Sequence, residues 1–222
     1  MLTGCDAREP GRVRASEYDS FWLWAGVETP DHLPKAREIY LLAGEIRGEP
    51  AEWVPLLATT PKPGKSELWL VVRTNTLKWP SGSVEYLIRT LDRWEQAGNR
   101  VAGLQVDFDA ATHGLSTYSD FLTSLRIDLP KRYRLSVTGL MDWSANGDPG
   151  ALQNLAGVID EVVIQTYQAR STIPGYEAYF SKMDGFPIPF KVGLVEGGLW
   201  HAPSTLEHHP QFNGYVVFLT ER

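Results

Sequence analysis

The run Gly103-Leu104-Gln105-Val106-Asp107-Phe108-Asp109 alternates apolar and polar side chains. Strand side chains repeat every two residues, so Leu104, Val106 and Phe108 share one face and Gln105, Asp107 and Asp109 share the other. In a closed barrel the apolar face packs on helices and the polar face points inward. Carboxylates on an inward face are costly to bury as ions unless hydrogen bonds or an opposite charge compensate them. At i and i+2 their Cα atoms lie roughly 6.6 Å apart. At that range each raises the other's proton affinity, which favours one acid and one anion. General acid catalysis needs that division. The competing reading is a buried polar layer with Arg73 as counter-ion.

Outward from this run the same unit recurs: an apolar, β-branched or aromatic stretch, turn residues, then a helical pattern. Strands are expected at 21–27, 38–44, 68–74, 101–109, 134–139, 162–167, 190–195 and 215–219. Helices are expected at 51–58, 84–97, 116–126, 149–155 and 176–183, bounded by Pro, Gly, Ser or Asp. Strands alternating with helices pair in parallel, because a parallel crossover takes about a dozen residues or more. Eight units in 222 residues predict an α/β protein with a single compact (β/α)8 TIM-type barrel. The alternative, an open doubly wound sheet, lacks a glycine-rich phosphate turn after the first strand.

In such a barrel the chemistry sits where strands end. Besides Asp107 and Asp109, strand ends carry Trp24, Arg73, Gln165, Tyr167 and Glu196, and the fifth strand leads into Met141-Asp142-Trp143. Tyr167 and Gln165 can orient a polar ligand, and the indoles of Trp24 and Trp143 can wall a pocket. Gln105, Arg73 and Glu196 complete the expected substrate-binding set. Each alone is more often core or solvated loop than site; their shared location raises the joint odds.

Composition narrows the functional classes. The chain has 43% hydrophobic and 22% charged residues, as in an ordinary globular protein. Its net charge of −6, without a basic run, argues against nucleic acid or an anionic membrane surface as partner. No stretch approaches the roughly 20 apolar residues of a membrane span. One cysteine, Cys5, permits no intrachain disulfide. Eight Trp offer flat faces suited to sugar rings as well as to cores. Residues 63–66, Pro-Gly-Lys-Ser, lack the first glycine of a phosphate loop, Thr59 standing in its place. No Gly-x-Ser-x-Gly elbow occurs, and His32, His113, His201, His208 and His209 lack zinc-ligand spacing. No cofactor or resident metal is expected. The expected partner is a glycan or another small polar ligand.

The fourth-strand run, with Ala102 before it, and Gln165-Thr166-Tyr167-Gln168 resemble the family-18 chitinase-type glycoside hydrolases, whose fourth strand carries Asp-Gly-x-Asp-x-Asp-x-Glu and whose sixth carries Met-x-Tyr-Asp. The resemblance implies Asp109 as proton donor, Asp107 as the acid orienting an acetamido group and Tyr167 as its hydrogen-bonding tyrosine. Ala102, Gln105 and Gln168 replace three family aspartates, Asp109 is one methylene shorter than the family's glutamate, and Leu219 takes the place of the eighth-strand Trp. What survives suits a different glycosidase or a barrel that only binds. FWLWAGV, YLLAGEI, LQVDFDAAT, LSVTGLMDW and VVIQTYQ together resemble the bacterial domain-of-unknown-function family 3142, grouped with barrel glycosidases. The leading expectation is a divergent glycoside hydrolase; the alternative is a catalytically inactive glycan-binding envelope lipoprotein. A third is a structural lipoprotein whose acid pair completes a buried network.

Leu2-Thr3-Gly4-Cys5 resembles the bacterial lipobox, and a polar stretch follows over 6–17. Chance accounts for it equally well. Residues 1–20 are expected to form a flexible N-terminal segment, a lipoprotein tether if Cys5 carries lipid, and 21–222 the barrel domain. A true start upstream with a lipoprotein signal implies the cell envelope or periplasm; otherwise the chain is cytoplasmic.

Overall fold

The computed structural model describes residues 11–24, 33–62 and 64–219. The lipobox with Cys5, and residues 25–27 of the first expected strand, lie outside them.

Eight parallel strands form a closed barrel. In chain order they are β1 (Ser20–Leu23), β2 (Glu38–Arg47), β4 (Glu67–Thr74), β5 (Arg100–Asp107), β6 (Arg134–Leu140), β7 (Glu161–Gln165), β10 (Phe190–Val195) and β11 (Phe212–Leu219). Each pairs with the next, and β1 pairs with both β2 and β11, which closes the ring. The expected TIM-type fold is the one adopted.

The crossovers follow from local sequence. Helix α1 (Ser83–Gln96) buries Leu87, Thr90, Leu91 and Trp94, a spacing of three and four that puts them on one stripe. It stops at Gly98, whose φ of +90° falls in the left-handed region that glycine enters freely. Helix α2 (Leu115–Asp128) buries Leu115, Tyr118, Ser119, Leu122 and Leu125 in the same way. The short α3 (Asp142–Asn146) precedes α4 (Pro149–Ala156), where Asp148 accepts the Ala151 N–H at 2.8 Å and proline occupies the first turn. A small hairpin, β8 (Tyr167–Gln168) with β9 (Ser171–Thr172), and the single turn α5 (Glu177–Phe180) fill the crossover after β7.

Three expectations are corrected. Residues 51–58 form no helix: β3 (Glu52–Pro55) folds back antiparallel onto β2. Pro55 would break a helix interior, and Trp53-Val54 favour a strand. The fourth barrel strand ends at Asp107, so Asp109 lies two residues beyond it. Residues 11–20 are not a free tether. Val13 and Ala15 are buried, and backbone bonds join Gly11 to Trp200 and Val13 to Gly197 and Gly198.

The core has two layers. Inside the barrel, Trp22, Tyr40, Leu42, Trp69, Val71, Ala102, Val163, Val216 and Phe218 pack on one another, with Tyr40 and Trp69 stacked at 5.5 Å. Outside it, Leu70, Val72, Leu104, Val106, Val137 and Ile164 meet Leu91, Trp94, Leu122 and Leu155 of the helices. The alternation read in the 103–109 run holds over 104–107, where Leu104 and Val106 face the helices and Gln105 and Asp107 face inward; beyond the strand end Phe108 and Asp109 line the same cleft.

Candidate functional site

Residues of four adjacent strands lie in one row at the strand exits. Glu45 of β2 is in register with Arg73 of β4, and Arg73 with Asp107 of β5. Asp107 then accepts the Thr138 hydroxyl of β6 at 2.7 Å.

Asp107 is 6% exposed. Burial raises its proton affinity; the Thr138 bond and the Arg73 guanidinium, whose Nε lies 3.8 Å away, work against that, while Asp109 and Glu45 add to it. The balance holds its carboxyl above the usual range. Asp109 is exposed and makes no hydrogen bond or ion pair with another described residue. The two acids thus differ in environment: one is enclosed with its proton affinity raised, the other stands exposed.

Arg73 joins Asp107 to an aromatic wall. Its guanidinium lies 5.0 Å from the centre of the Trp24 ring, within the range of a cation–π contact. Trp24 meets Trp22 edge-on at 4.9 Å, Trp22 stacks on Phe218 at 5.2 Å, and Phe218 meets Tyr167 at 4.9 Å. Burial pushes the Tyr167 phenol well above its ordinary value, Asp107 adds to this, and Arg73 and the neighbouring Gln165 oppose it. Tyr167 is therefore a neutral hydroxyl near neutral pH, able to donate a hydrogen bond.

A cleft of ≈340 Å³ opens beside this row, lined by Glu45, Arg47, Arg73, Asn75, Phe108 and Asp109 among others. Asp109 and Arg73 reach it directly. Asp107 does not line it and lies 3.8 Å from Arg73 Nε.

Trp24, Gln165 and Tyr167 do not line the cleft, and four further residues named from the sequence stand elsewhere. Gln105 is fully buried at mid-barrel, accepting the Trp22 indole N–H at 2.8 Å and donating to Ser136 at 2.9 Å. Trp143 is fully buried outside the barrel, donating to the Ala110 carbonyl at 2.8 Å. Glu196 follows β10, its N–H bonded to the Phe218 carbonyl, and is not among the residues lining the cleft. Leu219 belongs to the outer layer, and Phe218 is the aromatic that faces inward from β11. Sequence reasoning misses Glu45, Arg47, Asn75 and Phe108 of the cleft and Phe218 of the aromatic wall. Alternation along β11 from Val216 would have found Phe218; no pattern in residues 38–47 marks Glu45. No group of three or more described His, Cys, Asp or Glu side chains is placed to hold a metal ion.

Residues 80–176 match the family model described as Domain of unknown function (DUF3142). The family read from the strand motifs is the one this match returns. No curated protein matches the chain. Among solved structures, the chain is similar to the Bacillus cereus spore cortex-lytic enzyme SleL, at 17% identity and a TM-score of 0.55 over 80% of this chain and 50% of that one. It therefore spans half the length of SleL. It is also similar to the xylanase and α-amylase inhibitor protein XAIP-II from Scadoxus multiflorus, at 8% identity and 0.52 over 89% and 92% of the two chains. A third is the inhibitor XAIP-I in complex with trehalose, at 10% identity and 0.53 over 90% and 92%. At these identities the likeness is one of fold. An enzyme and two inhibitors share it.

Proposed function

We propose that the strand-exit cleft is a carbohydrate site and that the protein is a divergent glycoside hydrolase. In this reading Asp109 presents the acid to the glycosidic oxygen, Asp107 is its partner and stabilises developing positive charge, and Tyr167 positions the sugar. The observation that carries it is geometric: Asp109, just beyond the end of β5, opens to a cleft that also exposes Arg73 and Phe108. The resemblance to chitinase-type barrels at the same strand supports it. A 2-acetamido sugar would bring its own carbonyl as nucleophile.

Asp109→Asn tests it on a panel of glycans. Losing a general acid removes about 10²–10⁴ in rate, and because Asp109 is exposed and bonds no other described residue the melting temperature should stay unchanged. Equal hydrolysis by the variant ends the assignment.

A second reading, a barrel that binds glycans without turnover, is favoured by the same lack of a partner for Asp109, since nothing described holds that acid in a fixed direction. Calorimetry separates the two: saturable binding with no product over hours supports the binder, and a bell-shaped rate against pH supports the enzyme.

A further inference from the structure

Tyr40 and Leu42 point into the barrel from β2, and strict alternation would aim residue 44 inward and residue 45 out beneath the helices. The register with β4 breaks at that point: Leu42 pairs with Val71, but Gly44 pairs with Val72 and Glu45 with Arg73. The extra residue is a β-bulge, a device that reverses which way the following side chains face. Ala43 and Ile46 lie in the outer layer, and Glu45 turns into the cleft.

The outside of the bulge is occupied. A Cβ on residue 44 would collide with the Trp53 ring, so the β3 hairpin lays its indole where only glycine leaves room. Bulge, glycine and indole together hold a carboxylate in the cleft that a regular strand would have put on the opposite face.

We propose that Glu45 is the second carboxylate of the site, the base that activates water opposite the acid Asp109. This rests on the hydrolase reading above and specifies it for sugars that lack an acetamido nucleophile. The other acids near the mouth do not compete. Asp107 is enclosed, Asp142 is hydrogen-bonded by Asn146 of its own helix, and neither of these nor Glu196 lines the cleft. Glu45 and Asp109 line it together, one from β2 and one beyond β5, with Arg73 of the intervening strand between them. The Arg47 guanidinium, 3.0 Å from Glu45 Oε2, steadies the carboxylate from the solvent side.

In the reaction, Glu45 takes a proton from water as the water oxygen bonds to the anomeric carbon. The bond from that carbon to the glycosidic oxygen breaks, its electron pair stays on the leaving oxygen, and Asp109 supplies that oxygen's proton. The products are two free hydroxyl-bearing sugars. Solvent exchange then returns a proton from Glu45 to Asp109.

The test uses the whole chain, a panel of nitrophenyl glycosides and sodium azide as external nucleophile. Glu45→Gln should lower kcat by about 10²–10⁴ and remove the acidic limb of kcat/KM against pH. Azide, which needs no base, should restore turnover and appear as glycosyl azide by mass spectrometry. Where the amide variant does not fold, Glu45→Asp should lose rate yet keep the acidic limb. If the wild-type chain hydrolyses the panel and either variant retains the wild-type kcat, Glu45 is not the base and the hydrolase reading stands. A loss in Glu45→Gln that azide does not rescue likewise overturns the assignment. If the wild-type chain hydrolyses nothing, the hydrolase reading falls and this inference with it.

Discussion

The two ends of the barrel are built from the same kinds of side chain, cations, carboxylates and a tyrosine, and treat them in opposite ways. At the strand starts, Lys191 Nζ lies 2.8 Å from Glu38 Oε2, 3.1 Å from Glu161 Oε2 and 2.8 Å from the Tyr40 oxygen. Tyr40 donates to Glu161 at 2.5 Å, Ser20 to Glu38 at 3.1 Å and Ser136 to Glu161 at 3.1 Å. All of these residues are buried. At the strand ends a tyrosine, an arginine and carboxylates meet again, but Asp107 has one hydroxyl donor and an arginine 3.8 Å away, and Asp109 has no bonded partner among the described residues. The difference appears in the acids themselves. Burial pushes Glu38 up, but Lys191, Arg37 and Ser20 outweigh it and hold the carboxyl below its usual range. At Asp107 burial wins. Complete pairing makes a charged cluster a structural girder; incomplete pairing leaves the enclosed acid with its proton affinity raised.

The largest effect should come from breaking the girder. Lys191→Met strands Glu38 and Glu161 without their cation, and removing one partner of a buried ion pair costs about 3–5 kcal/mol. At roughly 2–4 °C per kcal/mol for a chain this long, a scanning melt should fall by roughly 6–20 °C. An unchanged melt would mean that the barrel floor is wet, and the contrast between the two ends would be lost.

The contrast then sharpens in the pH dependence. Glu38 is depressed in the folded state, so its contribution is present above its unfolded value, near 4.5, and is lost as pH falls through the lower folded value. The urea midpoint should drop below about pH 4.5, and Glu38→Gln should flatten that drop. Asp107 has the opposite sign. Its folded value is raised, so its contribution is full below the unfolded value near 3.8 and is lost as pH rises through the higher folded one. The smallest effect follows from this: Asp107→Asn, which can still accept from Thr138, should be neutral in acid and stabilising by on the order of 1 kcal/mol at pH 7–8. Destabilisation at pH 7 in urea titrations would show that Asp107 behaves as the floor does.

The barrel was legible because its signal is local. Alternation in 103–109 assigned the faces of β5, and the spacing of Leu87, Leu91 and Trp94 announced α1. Residues 51–58 misled because the run is apolar and short, and Pro55 was the warning. The mouth was legible as far as local pattern holds: Asp107 and Tyr167 came from counting in twos, and Arg73 from standing at a strand end. Glu45 was not, because a bulge cancels the count and depends on Trp53 lying across Gly44. The floor was not legible either. Glu38, Glu161 and Lys191 stand at strand starts, where a charged residue reads as part of a turn, and only ring closure brings Lys191 to Glu38 across 153 positions of chain.

The hairpin strand β3 also has a bearing on solubility. Closing the ring leaves the eight barrel strands no open margin, yet β3 adds one, because it pairs with β2 alone. An unpaired margin is where a foreign chain can add itself and start an aggregate. Here it is four residues long, begins with the exposed Glu52 and ends in Pro55, which has no N–H to offer. The protein gains a ribbon that braces its bulge and gives neighbouring molecules little to zip onto.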